Sequence, residues 1–292
     1  MTNEKWRLEN GKCEKRLFLC QQGGIMFKRM KPALTACLLV ALVTQPAEAM
    51  IRHVFIFEPA VSLDVFDIWY FRHHAPECVR FFGPWLRRYE TYRAKQVPAE
   101  ADRFNPYRGR YTELWYDSVE AWREAAPYTR PYTQAPWGGS NSGLASAARP
   151  MATIIIPAMP TDDFLGKKEP TPEERPFLRW VFLMRYPDGV AIEDGEKWYL
   201  NVHTQEAKRM PGLLRYISYK AVKDSPIKTP WVRMTELWFK DYDAFRRATF
   251  ESGIKYTAPA WAKENQRWLE VVSAFIGYEP EVDFLREKPR LQ

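Results

Sequence analysis

The sequence predicts an α+β fold: two βαββαβ plaits in tandem, whose sheets pack on each other as an intramolecular barrel. Three observations lead there. Thr-Glu-Leu-Trp occurs at 112–115 and again at 235–238. Further matches keep the same order along both halves, which is the mark of an internal repeat. Each half also reads as strands separated by two helical stretches, and two helices on one sheet face leave the other face to be buried elsewhere.

The matches run from Ile51–Phe57 with Leu178–Met184 to Asp163–Leu165 with Asp283–Leu285. Between them fall Trp69-Tyr70 with Trp198-Tyr199, Leu86–Ala94 with Leu213–Ala221, and Tyr132-Thr133 with Tyr256-Thr257. In the first half, 51–57 is a β-rich run and predicts a strand. Val65, Ile68, Trp69 and Val79 have helical spacing over 64–82, with Asp64 as the candidate cap. Residues 86–94 and 110–117 predict two further strands. Residues 118–126 predict a helix capped by Ser118, and 152–157 a fourth strand. This order is the ferredoxin-like split βαβ plait. The Gly/Ser/Ala segment 138–148 is an insertion relative to the second half, read as a loop, with a lid as the alternative.

The domain organisation follows: a leader at 1–49, plaits at 50–165 and 177–292, and a charged, Pro-rich linker at 166–176. Lys28, Arg29 and Lys31 precede the apolar run Ala33–Val43, and Ala47-Glu48-Ala49 follows. The pattern is that of a signal peptide cleaved after Ala49, which implies a periplasmic or secreted protein. Translation from Met50 would instead give a cytoplasmic one. The run is too short to span a membrane. Of the net charge of +7, the first 49 residues carry +4. The rest has no basic stripe and no nucleic-acid-binding motif. Three of the four cysteines lie in the leader, so Cys78 has no partner for an internal disulfide.

Trp69-Tyr-Phe-Arg-His-His-Ala-Pro76 resembles the W-x4-H-A-P helix of EthD-type proteins, a branch of the dimeric α+β barrel superfamily. The resemblance covers about 51–165 and, more weakly, 178–285, where His203 is kept but Thr204-Gln205 replaces Ala-Pro. It implies a barrel of the kind usually built from two chains, here supplied by one, as a monomeric pseudo-dimer or a homodimer of such chains. Related barrels include cofactor-free monooxygenases, cyclases, isomerases and decarboxylases, and also haem enzymes.

The resemblance makes His74 and His203 the leading catalytic candidates, at a helix end facing the barrel mouth. His73 is expected to face solvent. Strand alternation puts His53, Phe55 and Phe57 on one face, with Trp180, Phe182 and Met184 as counterparts. This mixed aromatic face is assigned to a ligand cavity, and His53 becomes a proton carrier. Glu113 and Glu236 share a face with Trp115 and Trp238. They are turned inward as acid–base groups with raised pKa, or as ion-pair partners of Arg88 and Arg215 that close the barrel. Trp69, Tyr92, Trp198 and Tyr219 complete the ligand-binding candidates.

The histidines have no metal-ligand spacing, and there is no phosphate loop or serine elbow. No cofactor is expected, though one axial histidine would suffice for haem. The expected partner is a small apolar or aromatic molecule. It would be turned over by His/Glu acid–base chemistry in a cyclisation, isomerisation, decarboxylation or oxygenation. Binding without turnover is the alternative.

Overall fold

Each half begins with a strand and a helix. β1 (Ile51–Pro59) leads into α1 (Leu63–Trp69), a wide π-helical turn (Tyr70–His74) and α2 (Ala75–Phe82). β2 (Leu86–Arg93), β3 (Arg110–Tyr116), α3 (Val119–Ala125), α4 (Leu144–Ala147) and β4 (Ala148–Pro157) follow. After the short β5 (Asp162–Asp163) the second half repeats the order. It comprises β6 (Leu178–Arg185), α5 (Ile192–Trp198), a π turn (Tyr199–His203), α6 (Thr204–Ala207), β7 (Arg215–Lys220), β8 (Arg233–Phe239), α7 (Tyr242–Arg246), β9 (Glu270–Ile276) and β10 (Val282–Asp283).

This computed structural model describes residues 50–125, 131–138, 143–166, 171 and 178–285. The predicted signal peptide, most of the linker and residues 139–142 of the insertion lie outside them. Of the insertion, 144–147 is a helical turn with Ser146 and Ala147 buried, so this part is packed and not a free loop.

Two antiparallel five-stranded sheets result, ordered β10-β2-β3-β1-β4 and β5-β7-β8-β6-β9. The edges are exchanged: β10 pairs with β2 of the first half, and β5 with β7 of the second. Repeat matching marked these segments as equivalent without assigning them a strand. Asp163 and Asp283 fold the chain over after each arm, accepting bonds from the amides of Leu165 and Leu285. Phe164 and Phe284 then pack on Tyr216 and Tyr89, with ring centroids 4.6 and 4.8 Å apart. Lys95 N donates to Phe275 O at 2.7 Å, and at the equivalent place Val222 N donates to Ile155 O at 2.9 Å. These bonds tie the sheets together as a barrel.

The predicted helix 64–82 forms, but Asp64 is not its cap. Ser62 stands there without a side-chain bond, and Asp64 lies in the first turn, ion-paired with Arg93, where a negative charge favours the helix dipole. Ser118 does cap α3, its Oγ accepting from Ala121 N at 3.1 Å. The π turn is not explained by Pro76 alone, although its ring would clash with the carbonyl four residues back. The second half makes the same turn with Gln205 there. In that half Thr204 Oγ1 and Gln205 Nε2 both donate to Leu200 O.

Apolar residues collect in three places. One cluster lies under the helices of each half, and the third lies between the sheets, around Val54, Ile56, Tyr92, Tyr111, Ile154, Val181, Tyr219 and Trp238. This reverses one sequence assignment. In β1–β3 pairing His53 stands opposite Leu114 and Val54 opposite Glu113, and directly paired residues share a face. His53 and Glu113 therefore cannot both face inward. Glu113 does. His53, Phe55 and Phe57 lie under the helices, and so does Trp180.

Candidate functional site

The barrel interior holds the glutamates but is filled. Arg52 Nη1 donates to Glu113 Oε1 at 3.1 Å, and Arg179 donates from Nε and Nη2 to Glu236 Oε2 at 3.1 and 2.9 Å. Arg52 also lies 4.0 Å from Glu236 and places its guanidinium 4.1 Å over the Tyr219 ring. Tyr111 donates to Glu113, and Trp238 Nε1 to Glu236 at 2.9 Å. Burial by itself would raise the Glu236 carboxyl, but Arg179 and Arg52 hold it below the ordinary carboxylate value. The expected raised pKa is thus overturned for Glu236. The ion-pair partners are also different from those expected. Arg88 stacks on Trp115 and Arg215 on Trp238, with guanidiniums 5.3 and 4.9 Å from the ring centroids. Trp115, Trp238, Tyr92 and Tyr219 enclose this charge cluster.

His53 is satisfied on both nitrogens. Trp122 Nε1 donates to Nδ1 at 3.0 Å, so Nε2 carries the hydrogen and donates to Thr153 Oγ1 at 2.8 Å. Thr153 passes its hydrogen to Val54 O at 2.8 Å. Burial lowers the imidazole pKa to about 3. His53 is a neutral tie between α3 and two strands. Trp122→Phe strands the Nδ1 acceptor, and we expect a loss of about 1–3 kcal/mol in urea unfolding.

His74 is differently placed. It lies under the helix against the outer face of the sheet, not at the barrel mouth. Beside it is a cavity of about 160 Å³ walled by Phe55, Phe82, Leu114 and Leu144 and by the polar side chains of Tyr70, His74, Cys78, Tyr89, Thr112 and Tyr132. His74 is 6% exposed, and burial lowers its pKa to about 3. Its ring stacks on Trp69, centroids 5.2 Å apart. Nε2 lies 3.5 Å from Cys78 Sγ, and the thiol donates to Tyr132 Oη at 3.8 Å. With the thiol hydrogen so used, Nε2 donates to sulfur and Nδ1 is left as an acceptor. Nδ1 has no hydrogen-bond partner. Burial pushes the Cys78 thiol up to about 12, so thiol and imidazole are both neutral.

The second half builds the same setting without the thiol. His203 sits among Trp198, Tyr199 and Tyr256, centroids 5.1 to 5.6 Å away, and its pKa is lowered to about 4 by burial. Ala207 stands where Cys78 stands in the first half. Trp198 Nε1 is used by Thr257 O at 3.0 Å.

Of the sequence candidates, the cavity brings together His74 and Phe55, with Trp69 behind the imidazole. Phe57, Trp180 and Trp198 pack in the cores under the helices. Tyr70, Cys78, Tyr89, Thr112, Tyr132 and Leu144 were missed. A signal existed for two of them: Cys78 lies one helical turn after His74, and Tyr132 recurs as Tyr256. A larger cleft of about 670 Å³, flanked by Asn105, Trp231, Arg267 and Glu270, is open, and its Arg185 is already paired with Glu270 at 2.5 Å. No candidate from the sequence lines it. Among the described residues no group of His, Cys, Asp or Glu could hold a metal ion, and no helix is long and apolar enough to cross a membrane.

Residues 58–129, about a quarter of the chain, match the chalcone isomerase N-terminal domain family. That stretch supplies Tyr70, His74, Cys78, Phe82, Tyr89, Thr112 and Leu114 to the cavity wall. No curated protein matches the chain in sequence. Among solved structures the chain is similar to an R173E mutant of chlorite dismutase from Candidatus Nitrospira defluvii, with TM-score 0.42 and 8% identity over 79% of this chain and 92% of that one. It is also similar to an anthrone oxidase-like protein, with TM-score 0.44 and 8% identity over 80% and 92%.

Proposed function

We propose that the chain binds a single-ring compound carrying a hydroxyl or carbonyl oxygen in the cavity beneath the Tyr70–His74 turn, and that His74 accepts a proton from it. The observation that carries this reading is the unpartnered, buried Nδ1 of His74 beside a cavity with largely carbon walls. His203 Nδ1 is unpartnered in the same way, so what sets His74 apart is the cavity beside it, and a cavity of about 150 Å³ is known to hold benzene. In the step itself the proton of the ligand passes to Nδ1, and the electron pair stays on the ligand oxygen. Tyr70, Tyr89 and Thr112 stand in the wall with their hydroxyls bonded to one another. The reaction class is proton-transfer-driven isomerisation, cyclisation or decarboxylation, or oxygenation of an electron-rich ring, without a cofactor.

The second reading is binding without turnover. The depressed pKa of His74 favours it, because an imidazole that resists protonation is a weak base. Mass spectrometry of compounds carried through purification identifies the ligand class, and His74→Ala then separates the readings. Lost turnover with affinity within about threefold indicates catalysis. Lost affinity with no turnover by the parent protein indicates a binder. Recovery of no small ring compound, and no binding of one, would sink both.

The two halves also support descent from a duplicated EthD-type unit, with the 1–49 leader directing export. N-terminal sequencing of protein recovered from outside the cytoplasm should then begin at Met50, and retention in the cytoplasm with residues 1–49 attached would refute export.

A further inference from the structure

We infer that the open cleft of about 670 Å³ is a second binding site, one that takes an aromatic carboxylate with its ring against Trp231 and its carboxylate on Arg267. The cleft lies where the β2–β3 connection, at Asn105, meets the end of β6, the start of β9 and the stretch before β8. It shares no lining residue with the cavity beside His74, which measures about 160 Å³. A two-ring compound that the smaller cavity excludes has room here.

The cleft has one unpaired charge. Arg185 Nε donates to Glu270 Oε2 at 2.7 Å, and Arg185 Nη1 reaches Asp188 at 3.4 Å. Arg185 and Glu270 are therefore a closed pair. Asp188 is 92% exposed and does not line the cleft, so water screens it. Arg267 is exposed and has no ion pair or hydrogen bond among the described residues. Lys263 and Glu264, in the same connection, are exposed and opposite in sign. What remains is a guanidinium with donors and no acceptor, and its planar fork matches a carboxylate.

Trp231 supplies the ring contact. It is half-buried against the apolar layer between the sheets. Its indole N–H is neither bonded within the protein nor buried, so it opens on solvent. Asn105 fixes the far wall. It holds a positive φ of 49°, its Nδ2 donates to Val271 O at 3.2 Å, and its carbonyl accepts from Ser273 N at 3.1 Å. Walls held in this way lose little freedom when a ligand enters.

The duplicated fold does not itself demand these side chains. By the register of the repeat, Arg185, Trp231 and Glu270 stand where the first half has Glu58, Arg108 and Pro150. There Glu58 Oε1 accepts from the backbone N of Arg108 at 3.0 Å. The indole and the arginine–glutamate pair belong to the second half.

The test uses 2-naphthoate, with 2-naphthamide as its neutral analogue, titrated into the full chain by calorimetry at low salt. The naphthoate should bind about three- to fivefold more tightly than the amide, the range of an exposed ion pair. High salt should remove that advantage. Arg267→Gln should weaken naphthoate binding by the same factor and leave naphthamide unchanged, and Arg267→Lys should keep most of the difference. Arg267 is exposed, so these variants fold as the parent does. Trp231→Leu should weaken both ligands alike, by about tenfold. His74→Ala should change neither. Equal affinity of the parent for the two ligands, equal naphthoate affinity in the parent and Arg267→Gln, or no binding at all overturns the inference and leaves the cavity beside His74 standing. Loss of naphthoate binding in His74→Ala but not in Arg267→Gln overturns it as well, by putting the ligand in the smaller cavity.

Discussion

Replacing Arg179 with Met should lower the stability of the fold by about 3–5 kcal/mol, read as a shift of the urea midpoint, with little change in the helix content of the folded state. Arg179 gives two bonds to one oxygen of Glu236, whose side chain is 1% exposed. Without it the carboxylate retains Trp238 Nε1 and the more distant Arg52. That leaves a largely uncompensated charge between two sheets. The pH dependence has a definite sign. In the parent protein the depressed Glu236 pKa adds stability above the unfolded carboxylate value and loses it as pH falls. In the variant, burial without Arg179 raises the pKa, so the carboxyl takes up its proton on mild acidification. The two stability curves therefore converge toward low pH. Arg179→Met combined with Glu236→Leu should recover most of the loss, because an apolar pair suits this interior. A single variant as stable as the parent at neutral pH would show that the cluster does not hold the sheets together.

The second large effect is acid lability. His53 and His74 both have a pKa of about 3 when folded, lowered by burial, against about 6.5 when unfolded. Above 6.5 both are neutral in either state, and their contribution is fully present. As pH falls below 6.5 the unfolded chain binds protons at His53, His74 and His203 that the folded chain refuses, His203 doing so down to its folded value of about 4. From these groups stability drops by about 4 kcal/mol per pH unit near pH 5 and by about 3 below pH 4, and the loss is complete near pH 3. His74→Phe should reduce that slope by about 1.4 kcal/mol per pH unit, since His53 and His203 remain. Identical slopes for the two proteins would mean that His74 is accessible to protons in the folded state.

The strands and helices were legible because strand and helix periods differ, and because motifs of the first three strands and the first helix recur in the second half of the sequence. The third-strand motif illustrates both the reach and the limit of this. Leu114 and Leu237 pack under the helices, and Glu113, Trp115, Glu236 and Trp238 face the other sheet, as the residue types suggested. The same alternation misassigned β1, because an aromatic face with one histidine suits a helix–sheet core as well as a ligand cavity. Pairing register decided between them.

By itself the sequence determined the α+β class, the order of the strands and helices in each half, and the face that carries the glutamates. These depend on local period and on which residue types repeat. Only the tertiary structure decided which arginines meet those glutamates, that β5 and β10 cross to the opposite sheet, and that the cavity lies under the Tyr70–His74 turn instead of inside the barrel. Each of these outcomes depends on side chains far apart in the chain. The physical reason is packing: Val54, Ile56, Tyr92, Tyr111 and their counterparts fill the space between the sheets. Tyr132 and Leu144, joining Phe55, Cys78 and Tyr89, complete the wall of a cavity beside His74.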